Sequence, residues 1–82
     1  MAKLKKFEAP WCSTCKSIQP YLDSLGVEVE HINVEEDASA AKLWGVRSLP
    51  TIILLRDGMV PVRLSGTADS IKATLDKELG KK

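Results

Sequence analysis

Hydrophobic and polar positions along this chain switch repeatedly between the two-residue period of strands and the helical period. Leu4 to Ala9 reads as a short strand closed by Pro10, which has no N–H to donate to a ladder. From Cys12 to Leu25 the period becomes helical. Ile18, Leu22 and Leu25 fall at i, i+4 and i+7 with Tyr21 beside them, and Gly26 is a natural stop. Pro20 lies inside that segment and predicts a kink or a local break. Val27 to Val34 begins with apolar–polar alternation and reads as a second strand. Asp37 is placed to cap a short helix from Ala38 to Trp44, closed by Gly45. Thr51 to Leu55 is a continuous apolar run, the signature of a buried central strand. Asp57-Gly58 signals a hairpin turn, and Met59 to Leu64 is the returning strand, which Pro61 assigns to a sheet edge. Thr67 or Asp69 caps a last helix carrying Ile71, Leu75 and Leu79 on one stripe, with Gly80 ending it.

The predicted order is therefore βαβαββα. Its first half is a β-α-β unit with parallel strands, and its second half is a hairpin followed by a helix. One four-stranded mixed sheet with helices on both faces, an α/β fold, accommodates every element. No repeat, linker or low-complexity segment interrupts the pattern, so residues 1–82 are expected to form a single domain.

Composition adds little except at the level of function class. With 44% hydrophobic and 28% charged residues the chain has material for a core, and disorder is excluded. A net charge of +1 argues against a dedicated nucleic-acid binder. Lysines gather at the start (Lys3, Lys5, Lys6) and the end (Lys81, Lys82), and read as solvated ends that aid solubility. No apolar stretch near Met1 is long enough for a targeting core, and the run from Leu49 to Leu55 is too short for a bilayer. The expected location is the cytoplasm, without membrane association.

Against that background the two cysteines, Cys12 and Cys15, stand out. A disulfide stabilises mainly by closing a long loop of the unfolded chain, and this pair closes almost none. In a reducing compartment a lone Cys-x-x-Cys is for catalysis or metal rather than for holding a fold. Cys12 falls where the first strand gives way to the first helix. Unsatisfied N–H groups and the positive dipole end favour a thiolate there, and the thiolate is the attacking species. With Lys16 nearby, Cys12 is the expected nucleophile. Cys15, one turn on, is placed to resolve a mixed disulfide from a deeper position. A structural zinc site would need two more ligands, and no second cysteine pair or His-x-His follows. His31, the sole histidine, is assigned to the second strand, facing solvent or packing there, away from the cysteines. Trp44 is assigned to core packing, and Trp11, on a turn before the nucleophile, to a functional surface.

Trp11-Cys12-Ser13-Thr14-Cys15-Lys16 resembles the active-site segment of thioredoxins, usually Trp-Cys-Gly-Pro-Cys-Lys. Gly45-Val46-Arg47-Ser48-Leu49-Pro50-Thr51 is similar to the segment that holds that family's cis-proline. Pro20, Asp57-Gly58 and Gly66 fall where the family places equivalent residues, so the likeness runs over nearly the whole chain. The resemblance implies a minimal thioredoxin fold and a protein-disulfide reductase cycling between Cys12/Cys15 dithiol and disulfide. It further implies that Pro50 is cis and packs against the disulfide, supported by Trp11, Ser13, Thr14 and Lys16. Trp11, Ser48, Leu49 and Pro50 would bind substrate, the backbone beside Leu49 pairing with an extended segment and Trp11 lying in the apolar surface around the exposed sulfur. No bound cofactor is implied. The electron donor is either an NADPH-dependent thioredoxin reductase or glutathione, and the chain is expected to be monomeric.

The sequence departs from the family in three places. The leading strand and helix of thioredoxins are absent, which leaves the size of a glutaredoxin. Ser13-Thr14 replaces Gly-Pro, and predicts a somewhat more oxidising potential; about 30 mV corresponds to ~1.4 kcal/mol for this two-electron couple. Lys6 stands where thioredoxins carry a buried aspartate that assists proton transfer to the resolving cysteine, leaving water or Glu8 for that role. Two other readings stay open: a glutaredoxin-like, glutathione-dependent reductase, and a non-catalytic binding module, either an iron–sulfur carrier or an accessory subunit of a larger enzyme.

Overall fold

A computed structural model describes residues 2–80. Its elements follow the predicted order: β1 (Ala2–Glu8), α1 (Ser13–Ser24), β2 (Glu28–Asn33), α2 (Ala38–Leu43), β3 (Thr51–Arg56), β4 (Val62–Ser65) and α3 (Ala68–Glu78). The strands form one sheet in the order β2-β1-β3-β4, with β1 parallel to β2 and antiparallel to β3. β3 pairs antiparallel with β4, so the Pro61 segment does lead into an edge strand.

Central position explains the unbroken burial of β3, whose first four residues, Thr51 to Leu54, are all buried. One face of the sheet carries Leu4, Ile52, Leu54 and Leu64, which pack with Ile18 and Leu22 of α1 and Ile71 and Leu75 of α3. The opposite face carries Phe7, Ile32 and Ile53, covered by Ala40 and Ala41 of α2 together with Trp44. Helices therefore lie on both faces, and Trp44 does belong to a core. The Tyr21 hydroxyl ties α1 to α3 by donating to the Asp76 carboxylate and to the Lys72 carbonyl at 3.2 Å. Burial, with the hydrogen bond and charge of Asp76, pushes the Tyr21 phenol up to about 12.

Two expectations change. The returning strand begins at Val62, not Met59, because the connection is longer than a tight two-residue hairpin. Met59 N–H closes a turn onto the Arg56 carbonyl at 3.2 Å, with Gly58 at φ +72°, and Val60 and Pro61 follow outside the ladder. The opening lysines are also not merely solvated. Lys3 and Lys5 pair with Glu30 of β2, each at 3.0 Å, and Lys6 is buried; Lys81 and Lys82 lie outside the described residues. Pro20 sits within α1 without ending it.

Of the two candidate caps for α3 it is Thr67 that acts, its side chain accepting from Ser70 N–H at 3.1 Å. Thr67→Ala removes that bond and is expected to cost about 1 kcal/mol. In a domain of this size that lowers the melting temperature by roughly 4–8 °C, measurable by circular dichroism.

Candidate active site

β1 delivers the chain to the site. After Glu8 the backbone turns, and Cys12 N–H bonds back to the Ala9 carbonyl at 3.1 Å. Cys12 is the N-cap of α1, with extended backbone (φ −86°, ψ 101°). Its Sγ accepts from the Cys15 N–H at 3.2 Å, the place that a serine or aspartate oxygen takes in an ordinary cap. A sulfur held there faces an unsatisfied helix N–H and the positive end of the dipole, so negative charge on it is favoured. Cys12 and Cys15 are joined as a disulfide, their Cα atoms 5.3 Å apart. The sulfur expected to be exposed is not open in this oxidised form: Cys12 is 6% exposed and Cys15 2%. The bond to Cys15 and the cap hydrogen bond fold the Cys12 side chain down onto the helix start.

The peptide bond between Leu49 and Pro50 is cis, as the resemblance implies. Pro50 is buried, and the loop in front of it is closed by the Thr51 hydroxyl, which donates to the Ser48 carbonyl at 2.6 Å. That loop reaches toward Trp11. A surface cleft of about 210 Å³ is lined by Trp11, Val34, Val46, Arg47, Ser48 and Leu49, among others. Trp11 is 67% exposed, and its indole Nε1 donates to Glu35 at 2.8 Å, which fixes the ring at the rim. The sequence-predicted substrate residues Trp11, Ser48 and Leu49 are thus brought together. Ser13 is exposed at the first turn, Thr14 half-buried behind it, and Lys16 exposed beside Cys15.

A second cavity, about 370 Å³, opens on the other side of Cys15, and Lys6, Glu8, Lys16, Gln19 and His31 line it. The register explains the cluster. Lys6 and Glu8 share the α1-facing side of β1 with Leu4, and Lys6 lies opposite His31 of β2. Glu8 Oε1 accepts from Lys6 Nζ and from His31 Nδ1, each at 3.1 Å. Gln19 closes the array by accepting from Lys6 Nζ at 2.6 Å. Burial opposes ionisation of Glu8, but the hydrogen bonds and charges of His31 and Lys6 outweigh it and hold the carboxyl below its ordinary value. The stability Glu8 contributes is present above the usual carboxylate pKa and is lost as pH falls through the depressed one. His31 does face solvent, as expected, but it is not away from the cysteines: it stands on the wall of the cavity that Cys15 lines.

Gln19, Glu35 and Thr51 escaped the sequence reading. Gln19 had a signal, since it is one helical turn after Cys15 and on the same side. Glu35 and Thr51 act through a loop and a turn whose paths no periodicity specifies. Among the described residues no group of three or more His, Cys, Asp or Glu side chains is gathered where it could hold a metal ion. No helix there is long and apolar enough to cross a membrane.

Comparison with known proteins agrees with this geometry. The family model for thioredoxin matches residues 2–77. The chain is 33% identical to thioredoxin 1 of Synechococcus elongatus, across 93% of this chain and 78% of that protein. It is 37% identical to the thioredoxin of Chlamydia pneumoniae, across 80% of this chain and 70% of that one. Among solved structures, oxidised mitochondrial thioredoxin 3 of Saccharomyces cerevisiae superposes with a TM-score of 0.80 at 28% identity, across 96% of this chain and 76% of that one. A disulfide seated on a helix N-terminus and a cis Leu49–Pro50 bond, in a chain matched by that family along almost its whole length, make this a member of the thioredoxin family and a thiol–disulfide oxidoreductase.

Proposed function

We propose that the protein reduces protein disulfides, with Cys12 as the nucleophile and Cys15 as the resolving thiol. The Cys12 sulfur in the N-cap position of α1, accepting the Cys15 N–H, carries this reading, because that seat stabilises the thiolate that must attack. The Cys12 thiolate opens the substrate disulfide and forms a mixed disulfide, releasing one substrate sulfur. Cys15 then attacks the Cys12 sulfur, frees the second substrate sulfur and leaves the oxidised pair. The Cys12/Cys15 dithiol carries both reducing electrons and the disulfide is its oxidised form, so the cycle needs no bound cofactor. The cleft lined by Trp11, Ser48 and Leu49 suits an extended peptide around the target cystine. We assign residues 1–82 to one such domain, acting as a monomer in the cytoplasm.

The donor in this reading is an NADPH-dependent thioredoxin reductase, because the family likeness is to thioredoxins across nearly the whole chain. A coupled insulin-reduction assay, run separately with thioredoxin reductase and with glutathione plus its reductase, tests it. Turnover with the first is expected. Turnover with glutathione alone would move the protein to a glutaredoxin-like role. Retained biological activity in a Cys12→Ser, Cys15→Ser double variant would replace catalysis with a docking role.

A further inference from the structure

Lys6 is a charged side chain where charge is disfavoured. It sits on the central strand with 3% of its side chain exposed, between the sheet and α1. A buried ammonium is tolerated only with partners, and Lys6 has two: Glu8 at 3.1 Å and Gln19 at 2.6 Å. An ammonium carries three protons, and among the described residues these two acceptors are its only protein partners. The remaining donor belongs to a group that lines the same cavity as Cys15. The titratable groups on that wall are Lys6 and Glu8 from β1, Cys15 and Lys16 from α1, and His31 from β2. Glu8 is a poor proton acceptor in this setting, because one of its oxygens already takes hydrogen bonds from both Lys6 and His31. The wall is built to hold an anion rather than to accept a proton.

We propose that Lys6 is a positioning residue for the second half of the cycle: its buried ammonium, held in place by Glu8 and Gln19, stabilises Cys15 as a thiolate. This rests on the reading that Cys15 resolves the mixed disulfide, and it names what prepares Cys15 for that step. The Cys15 thiol loses its proton to water at the open mouth of the cavity, where His31 is 48% exposed. The Cys15 thiolate donates an electron pair to the Cys12 sulfur. The Cys12–Cys15 bond forms as the bond from Cys12 to substrate breaks, and the substrate leaves as a thiolate that takes a proton from solvent. Substrate is reduced and the pair is oxidised, with no other redox partner.

The experiment uses a Cys12→Ser background, in which Cys15 is the lone thiol, and follows its thiolate by ultraviolet absorbance against pH. Adding Lys6→Met is expected to move the midpoint up by about one pH unit, a roughly tenfold lower thiolate fraction below the midpoint. In the otherwise intact protein, Lys6→Met should slow resolution of a preformed mixed disulfide by a similar factor at neutral pH. The difference should vanish above the variant's midpoint, whereas a merely structural defect would slow the step at every pH. A midpoint that stays or falls overturns the proposal. Should Lys6→Met fail to fold by circular dichroism, Lys6→Gln, which keeps a polar group for Glu8 and Gln19 but removes the charge, carries the same test: the midpoint should rise, and an unchanged or lowered one overturns the assignment. Loss of insulin reduction in the cysteine variants with no Lys6 effect on the titration would sink this proposal and leave the proposed function standing.

Discussion

Cys15→Ser is expected to accumulate as a covalent mixed disulfide with its substrate, while Cys12→Ser forms none and reduces nothing. The asymmetry follows from the helix start. Only the Cys12 sulfur occupies the cap position, where it accepts the Cys15 N–H at 3.2 Å, and of the two it is the more exposed. Removing it removes the group whose ionisation the helix terminus favours, and turnover falls to background. Removing Cys15 leaves that group intact, so the first exchange still proceeds and stops there, with no second thiol to break the new bond. Non-reducing electrophoresis and intact-mass measurement after incubation with a protein disulfide distinguish the two variants. Trapping by Cys12→Ser instead would reverse the assigned roles. Trapping by neither would mean that the pair does not exchange with protein disulfides.

Much of this arrangement is legible in the chain, for reasons that differ by residue. Thr51 to Leu55 reads as a buried central strand because a strand covered on both faces cannot alternate, and its first four residues are indeed buried. Cys12 reads as a strand-to-helix junction because Pro10 ends one period and Ile18, Leu22 and Leu25 begin another. The cis bond before Pro50 is different: it came from resemblance to a family segment, since no local pattern dictates it. Pairing of Lys6, Glu8 and His31 was half visible. Leu4 facing α1 requires Lys6 and Glu8 to face it too, since alternate residues share a side. What brought His31 to them was the register of the β1–β2 pair, which depends on the length of α1 and the turn after it. The Trp11–Glu35 bond depends on two loops meeting, and the late start of β4 on a turn at Gly58 that the dipeptide signals without fixing its length.

Phe7→Ala is expected to remove a large share of the folding stability, more than any other single truncation considered. Phe7 is fully buried, beside Ile32 of β2 and Thr51 of β3 in the ladder, and it anchors the α2-side core with Ile32 and Ile53. Phe→Ala at such a site costs about 3–5 kcal/mol, from lost transfer energy and the cavity left behind. A chain of this length has only roughly 4–12 kcal/mol of net stability to lose. Among the described residues the buried part of the α2-side cluster is Phe7, Ile32 and Ile53, and the other side chains packed against it are only partly buried, so Phe7 supplies much of its volume. The melting temperature should fall by about 15 °C or more. Leu43→Ala serves as the control: Leu43 is 82% exposed on α2, and its truncation should change stability by no more than about 0.5 kcal/mol. Thermal and urea unfolding of the two variants separate the outcomes. A Phe7→Ala shift as small as that of Leu43→Ala would mean that α2 and the strands beneath it do not share a core. The consequence for chemistry follows from position, since β1 carries both Phe7 and the Lys6–Glu8 pair and leads directly into Cys12. Disulfide reduction by Phe7→Ala should therefore decline with the folded fraction as temperature rises, while the folded molecules keep the wild-type pH profile.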